Sequence, residues 1–174
     1  MDLLPLFRLD NKVAIITGAG KGIGKAIALA FAEAGASLVL AARNENDIET
    51  LAQEINAQGG KALAVKTNCK SEAQLKQLVE RAIAKFGRID ILVNNAGLAA
   101  GLEHIDCGDT ADWDAMIDTN VKGLLYVTRI ISRAMVAAGK GGHIINIGSI
   151  AGTEPYENGA VYCASKHAVH AISQ

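Results

Sequence analysis

The stretch that most restricts what this chain can fold into runs from Val13 to Ala36. VAIIT (13–17) is apolar and largely β-branched, which suits a strand covered on both faces. GAGKGIG (18–24) follows, and KAIALAFAEAGA (25–36) is alanine-rich with apolar residues at helical spacing. A strand that passes through a glycine turn into a helix opens a crossover connection, and parallel strands require crossovers.

The pattern repeats along the chain. SLVLAA (37–42) predicts a second strand. From Asn46 to Gln58, Ile48, Leu51, Ala52 and Ile55 recur on one helical face, and Gly59-Gly60 closes that helix. KALAVKT (61–67) predicts a third strand. Ser71 and Gln74 have the spacing of a capping box, opening a helix with Leu75, Leu78, Val79, Ala82, Ile83 and Phe86 on one side. IDILV (89–93) predicts the fourth strand, followed by a loop through NNAGLAAG. Asp109 or Thr110 is the expected cap of one long helix that includes Trp113, Met116 and Ile117 and runs towards Ala138. HIINI (143–147) predicts a fifth strand, and the pattern is helical again from about Asn158 to the end. This alternation implies an α/β, doubly wound parallel sheet of Rossmann type, with right-handed crossovers and ligands at the carboxyl ends of the strands. A length of 174 residues suits a single dinucleotide-binding domain, 1–174.

Composition removes several function classes. Lys and Arg total 17 against 18 Asp and Glu, so no basic excess points to nucleic acid or an anionic membrane. No run approaches the ~18 apolar residues of a membrane span, and MDLLPLFRLDNK is not expected to be a signal peptide. Three cysteines, Cys69, Cys107 and Cys163, make an odd count without C-x-x-C spacing, which fits reduced thiols and a cytoplasmic location. His167 and His170 stand at i and i+3, but without a third ligand nearby no metal site is expected.

The first chemical signal is TGAGKGIG (17–24). Gly18, Gly22 and Gly24 lie between a strand and a helix, where a tight turn lets the backbone approach a pyrophosphate and the helix N-terminus offers unpaired N–H groups. The second is Tyr162 with Lys166, neighbours at i and i+4 on one helix face. A cation close to a phenol favours phenolate and is expected to lower the tyrosine pKa from its unperturbed ~10, allowing proton exchange with an alcohol or carbonyl near neutral pH.

These signals together are similar to those of the short-chain dehydrogenase/reductase family. The T-G-x-x-x-G-I-G turn, NNAG (94–97), Asn120 in DTNVKG, Ser149 in NIGSIAG, and Tyr162 with Lys166 occur in the family's order, with Ser149 thirteen residues before Tyr162. The resemblance implies that Tyr162 is the acid/base and that Ser149 hydrogen-bonds the reacting oxygen. It implies that Lys166 tunes Tyr162 and binds the nicotinamide ribose, and that Asn120 positions a water linking Lys166 to solvent. Gly18, Lys21, Gly22, Ile23 and Gly24, then Asn68, Asn95, Ala96 and Gly97, would line the cofactor, with Asn68 against the adenine. Thr17 is equally readable as a structural hydrogen-bond donor. Tyr156 lacks a lysine four residues on and is set aside.

Cofactor choice has a physical reading. An acid after the second strand would accept from the ribose 2′-OH of NAD. Here Ala41-Ala42-Arg43-Asn44 has none, and Arg43, with Lys21 nearby, suits the 2′-phosphate of NADP(H). The expected activity is interconversion of a secondary alcohol and a carbonyl with NADP(H), on a small molecule and in a homo-oligomer. The catalytic half resembles 3-hydroxy acid dehydrogenases and the N-terminal half hydroxysteroid dehydrogenases, so a 3-hydroxy acid comes first, then a hydroxysteroid or a 3-oxoacyl thioester. The reading of another class is a non-catalytic dinucleotide-binding fragment. Family members continue well past Tyr-x-x-x-Lys, whereas eight residues follow Lys166 here. The domain is therefore expected to be C-terminally incomplete, with its fifth strand as a sheet edge open to association.

Overall fold

The computed structural model describes residues 7–174; part of the segment read as lacking a signal peptide, residues 1–6, lies outside the described residues. Five parallel strands form one sheet: β1 (Val13–Thr17), β2 (Ser37–Ala42), β3 (Lys61–Lys66), β4 (Ile91–Asn94) and β5 (His143–Asn146), in the order β3-β2-β1-β4-β5. The helices are α1 (Gly22–Glu33), α2 (Glu45–Ala57), α3 (Glu72–Phe86), α4 (Thr110–Met116), α5 (Leu124–Ala137) and α6 (Ala160–Ser173). This is the doubly wound α/β sheet that the sequence implies. No helix among the described residues is long and apolar enough to cross a membrane.

Strand order explains strand composition. β1 and β4 lie inside the sheet and every one of their residues is buried, whereas β5 lies at an edge and is only half-buried. Alternate residues of β1 serve opposite faces. Val13 and Ile15 pack with Leu75, Leu78 and Val127 of α3 and α5, while Ala14 and Ile16 pack with Ile48 and Leu51 of α2. Each such buried branched side chain contributes roughly 1.5–3 kcal/mol relative to exposure.

Asp90 ties three strands together at the end away from the switch point. Its carboxylate accepts from the Val13 N–H (2.9 Å) and from Arg88 Nε (2.8 Å). Its backbone donates to the Val13 carbonyl and accepts from the His143 N–H. Burial alone would push this carboxyl up, but the Arg88 guanidinium, the Val13 N–H and Lys12 outweigh it and hold it below the ordinary carboxylate range. Asp90→Ala strips a buried N–H of its charged acceptor and is expected to cost about 1–3 kcal/mol in urea denaturation at neutral pH. Because the folded pKa is depressed, the unfolded chain binds the proton first. This increment is present above about pH 4 and is lost as the pH falls through the folded value. A difference between variant and parent that stayed constant into acid would refute this account.

Two local readings are refined. The Ser71 hydroxyl does accept from the Gln74 N–H, but the Gln74 side chain returns to the Asn68 N–H (2.7 Å), so the box closes one turn earlier in the chain. The single helix expected up to Ala138 is three pieces. Asp109 caps α4 by accepting from the Ala111 N–H (2.8 Å), Ile117–Gly123 is a wider π turn, and α5 follows. Asn120 sits in that turn with its side chain directed into the protein, and π turns of this kind mark functional positions.

Candidate active site

The switch point lies between β1 and β4, where the chain leaves in opposite directions, and it is there that an open α/β sheet forms a crevice. The turn after β1 is shaped by glycines that nothing larger can replace. Gly18 has φ +65°, and a Cβ on it would lie 2.9 Å from Asn95 Nδ2 and 3.0 Å from Ala96 Cα. A Cβ on Gly24 would run into the Gly18 carbonyl oxygen and Asn95 Nδ2. Thr17 Oγ1 accepts from the Asn95 and Ala96 N–H groups (3.1 Å each), and Asn95 Nδ2 donates to the Thr17 (2.9 Å) and Gly18 (3.1 Å) carbonyls. Thr17 Oγ1 in turn donates to the Val93 carbonyl (3.3 Å). Together these bonds fasten the glycine turn to the NNAG loop. Lys21 precedes α1 with extended backbone and no side-chain cap, which leaves the first N–H groups of α1 available to an anion.

A cleft of about 860 Å³ opens on this turn. Every residue assigned above to the cofactor lines it except Gly22, whose φ of +55° turns the chain into α1. Ile23 is exposed at its rim. At one end stand Lys21 and Arg43, both exposed, and neither is in an ion pair among the described residues. Lys70 lies there too, 3.5 Å from Asp118. Sequence reasoning missed Asp47, which reaches the same end from the first turn of α2; its signal was an acid in that turn. Cys69 is in the wall, and burial pushes its thiol up to about 11, so it remains protonated and is no nucleophile at neutral pH. The donor set suits a dinucleotide: bare backbone beside a helix N-terminus for the pyrophosphate, cations at the adenosine end, and Tyr162 with Lys166 at the other.

Lys166 is buried, 9% exposed, and its Nζ donates to the Ile147 carbonyl (2.9 Å). Burial lowers its pKa from the ordinary lysine value. Nζ lies 6.0 Å from the centre of the Tyr162 ring, so the i, i+4 pairing read from the sequence is present in space. Gly97 makes room for Asn120, since a Cβ there would lie 3.1 Å from Asn120 Oδ1, while Lys166 Nζ at 3.8 Å would be in ordinary contact.

Asn120 is buried in the same place, but its amide is committed. Oδ1 accepts from the Leu98 N–H (2.9 Å), and Nδ2 donates to the Leu98 carbonyl (2.8 Å) and Ser165 Oγ (3.0 Å). Both Nδ2 donors are thus used within the protein, so the water-positioning role expected of Asn120 does not have a free amide N–H to draw on. Ser165, another residue not singled out from the sequence, is fully buried and donates to the Tyr162 carbonyl (2.7 Å). Its only sequence signal is a hydroxyl within an apolar helix, one residue before Lys166. The chain Leu98–Asn120–Ser165–Tyr162 fixes α6 against the π turn. Ser149 begins the single helical turn Ile150–Gly152, its exposed Oγ accepting from the Ala151 N–H (3.2 Å). It follows Gly148 of the cleft wall but does not itself line the cleft. Tyr156 is exposed and lines neither this cleft nor the smaller one beside Tyr162.

A glycine-turned nucleotide crevice ending on a Tyr-x-x-x-Lys pair defines a class of oxidoreductase. The sequence profile of the short chain dehydrogenase family matches residues 12–174, and the chain belongs to that family. Among curated relatives it is 42% identical over 166 residues to an uncharacterized oxidoreductase of Listeria monocytogenes, covering 95% of this chain and 66% of that protein. It is also 42% identical over 172 residues to one of Staphylococcus saprophyticus, covering 97% and 72%. The chain thus spans about two thirds of the length of these relatives. Among solved structures, a short-chain dehydrogenase/reductase of Mycobacterium marinum superposes with TM-score 0.91 at 37% identity, over 99% of this chain and 70% of that one. A Burkholderia phymatum member in complex with NAD gives 0.90 at 35%, over 96% and 59%. A 7α-hydroxysteroid dehydrogenase complexed with NADH and 7-oxo glycochenodeoxycholic acid gives 0.88 at 39%, over 95% and 64%.

Proposed function

We propose that this protein interconverts a secondary alcohol and a carbonyl with NADP(H), and that Tyr162 carries the proton. The observation behind this reading is the buried Lys166 ammonium beside the Tyr162 ring, at the end of a cleft that begins on the glycine turn. The bound nucleotide supplies or accepts the hydride at the carbon of the reacting C–O bond. In reduction, Tyr162 gives its phenolic proton to the carbonyl oxygen; in oxidation, the phenolate oxygen takes the alcohol's proton as C=O forms. Lys166 places a positive charge where Tyr162 becomes negative, and its two remaining donors are available to ribose hydroxyls. The resemblance assigns the reacting oxygen to Ser149 as well, which follows Gly148 of the cleft wall but lies outside the lining. The remaining cofactor assignments follow the cleft wall, with Asn68 as the residue that would contact the adenine. The 3-hydroxy acid expected from the catalytic half is the first substrate to assay, with a hydroxysteroid and a 3-oxoacyl thioester after it.

The preference for NADP(H) rests on Arg43 and Lys21, exposed and unpaired at the adenosine end. Asp47 at that same end favours a second reading, in which it accepts from a ribose 2′-OH and the cofactor is NAD(H). Titration of the protein with NADPH and NADH decides between them. NADPH should bind at least tenfold more tightly, and Arg43→Ala should weaken NADPH by about tenfold or more while NADH changes little. Equal losses for both, or tighter NADH binding, would assign this end of the cleft to Asp47.

A further inference from the structure

Ser165 stands between Tyr162 and Lys166 on one turn of α6, fully buried and outside the wall of the nucleotide cleft. A serine inside a helix often donates back to a carbonyl three or four residues earlier, and Ser165 does so to Tyr162 (2.7 Å). What sets Ser165 apart is its second bond, in which Oγ accepts from Asn120 Nδ2 of the π turn (3.0 Å). The single hydroxyl proton goes to α6 and a lone pair to the π turn, so one oxygen joins the two elements.

The rest of α6 offers no substitute. Its other side-chain hydrogen bonds to separate elements are at Lys166, which donates to the Ile147 carbonyl, and at Ser173, which accepts from Asn146. Both lead to β5 or the residue after it. Among the described residues, only the Ser165 side chain links α6 to the π turn by a hydrogen bond. The turn opened by Ser149 rests on the same stretch: a Cβ on Gly152 would lie 2.7 Å from the Lys166 carbonyl oxygen and 3.1 Å from its carbon. Backbone meets backbone there, so a shift of α6 changes where Tyr162 and Lys166 stand relative to Ser149.

We propose that Ser165 is a positioning residue for proton transfer: its hydroxyl locks the Tyr162–Lys166 turn of α6 to the π turn, in the register that presents the phenol to the reacting oxygen. This rests on the reading of Tyr162 as the proton carrier. Without the hydroxyl, one buried Asn120 N–H has no acceptor, which favours any movement of the two elements that finds it another. A displacement of about 1 Å at reacting groups costs on the order of a hundredfold in rate.

The test compares side chains of matched shape in the full chain. Thr keeps the hydroxyl and can donate to the same carbonyl, whereas Val has its outline without the hydroxyl. Amide hydrogen exchange over residues 160–173, read with no ligand, should be about tenfold faster in Ser165→Val than in Ser165→Thr, with exchange in β1 alike in both. Turnover is measured with 3-hydroxybutyrate, cholate and acetoacetyl-coenzyme A. On the substrate the parent uses fastest, kcat of Ser165→Val should lie about tenfold or more below that of Ser165→Thr, while KM and NADPH affinity differ by less than about threefold. In the Tyr162→Phe background that difference in kcat should shrink to less than about threefold, since a residue acting through the phenol has nothing left to position. Should the added methyl keep both variants from folding, Ser165→Ala against the parent gives the same contrast. Equal exchange, equal kcat, or a difference that persists in full without the Tyr162 hydroxyl overturns the inference. Failure of the underlying reading looks different: Tyr162→Phe would turn over as fast as the parent, or the parent would use none of the three substrates, and the role given to Ser165 would fall with it.

Discussion

Tyr162→Phe is expected to lower turnover by about 10²–10⁴-fold, the range for removal of a general acid, and to leave NADPH affinity close to that of the parent protein. The substitution is clean because it removes one oxygen. The ring is half-buried in α6, and the hydrogen bond that seats Lys166 runs to the Ile147 carbonyl, not to the phenol. The Ser165 contact is to the Tyr162 backbone and survives as well. Rates measured alongside a nucleotide titration separate chemistry from binding. If both fell together, Tyr162 would be shaping the cleft; if neither fell, another group would be moving the proton.

Gly24→Ala is expected to cost roughly tenfold to a hundredfold in nucleotide affinity, with a loss of about 1–3 kcal/mol in stability from overpacking. The added Cβ meets the Gly18 carbonyl and Asn95 Nδ2, two parts of the fastening that holds the glycine turn to the NNAG loop. Backbone cannot swing aside as a flexible side chain can, so either the turn opens or Asn95 leaves the Thr17 and Gly18 carbonyls. Gly148→Ala provides the contrast, since Gly148 also lines the cleft but its Cβ would meet nothing within 4 Å. Comparable losses for the two variants, in titration and thermal denaturation, would mean that the glycine turn is not what shapes the nucleotide site.

The parts of the fold legible in the sequence were those carried by local pattern. The buried run VAIIT, the face Ile48, Leu51, Ala52 and Ile55, and the glycine turn at Gly18–Gly24 each show their environment in consecutive residues. The helix from Thr110 misled for the same reason. Apolar periodicity continues smoothly through Ile117–Gly123, while the π turn there is widened over a single turn around Asn120, whose partners, Leu98 and Ser165, lie 22 and 45 residues away.

The sequence by itself determined the alternation of strands and helices, the glycine turn and the spacing of Tyr162 and Lys166, because each is a matter of period, volume or backbone freedom among neighbours. Only the tertiary structure decided that Asn120 spends its amide on Leu98 and Ser165 and that Asp47 joins Arg43 in the cleft wall. Leu98 and Ser165 lie 22 and 45 residues from Asn120, beyond the reach of any local pattern. These contacts form only when the loop after β4, the π turn and α6 come together at one end of the sheet.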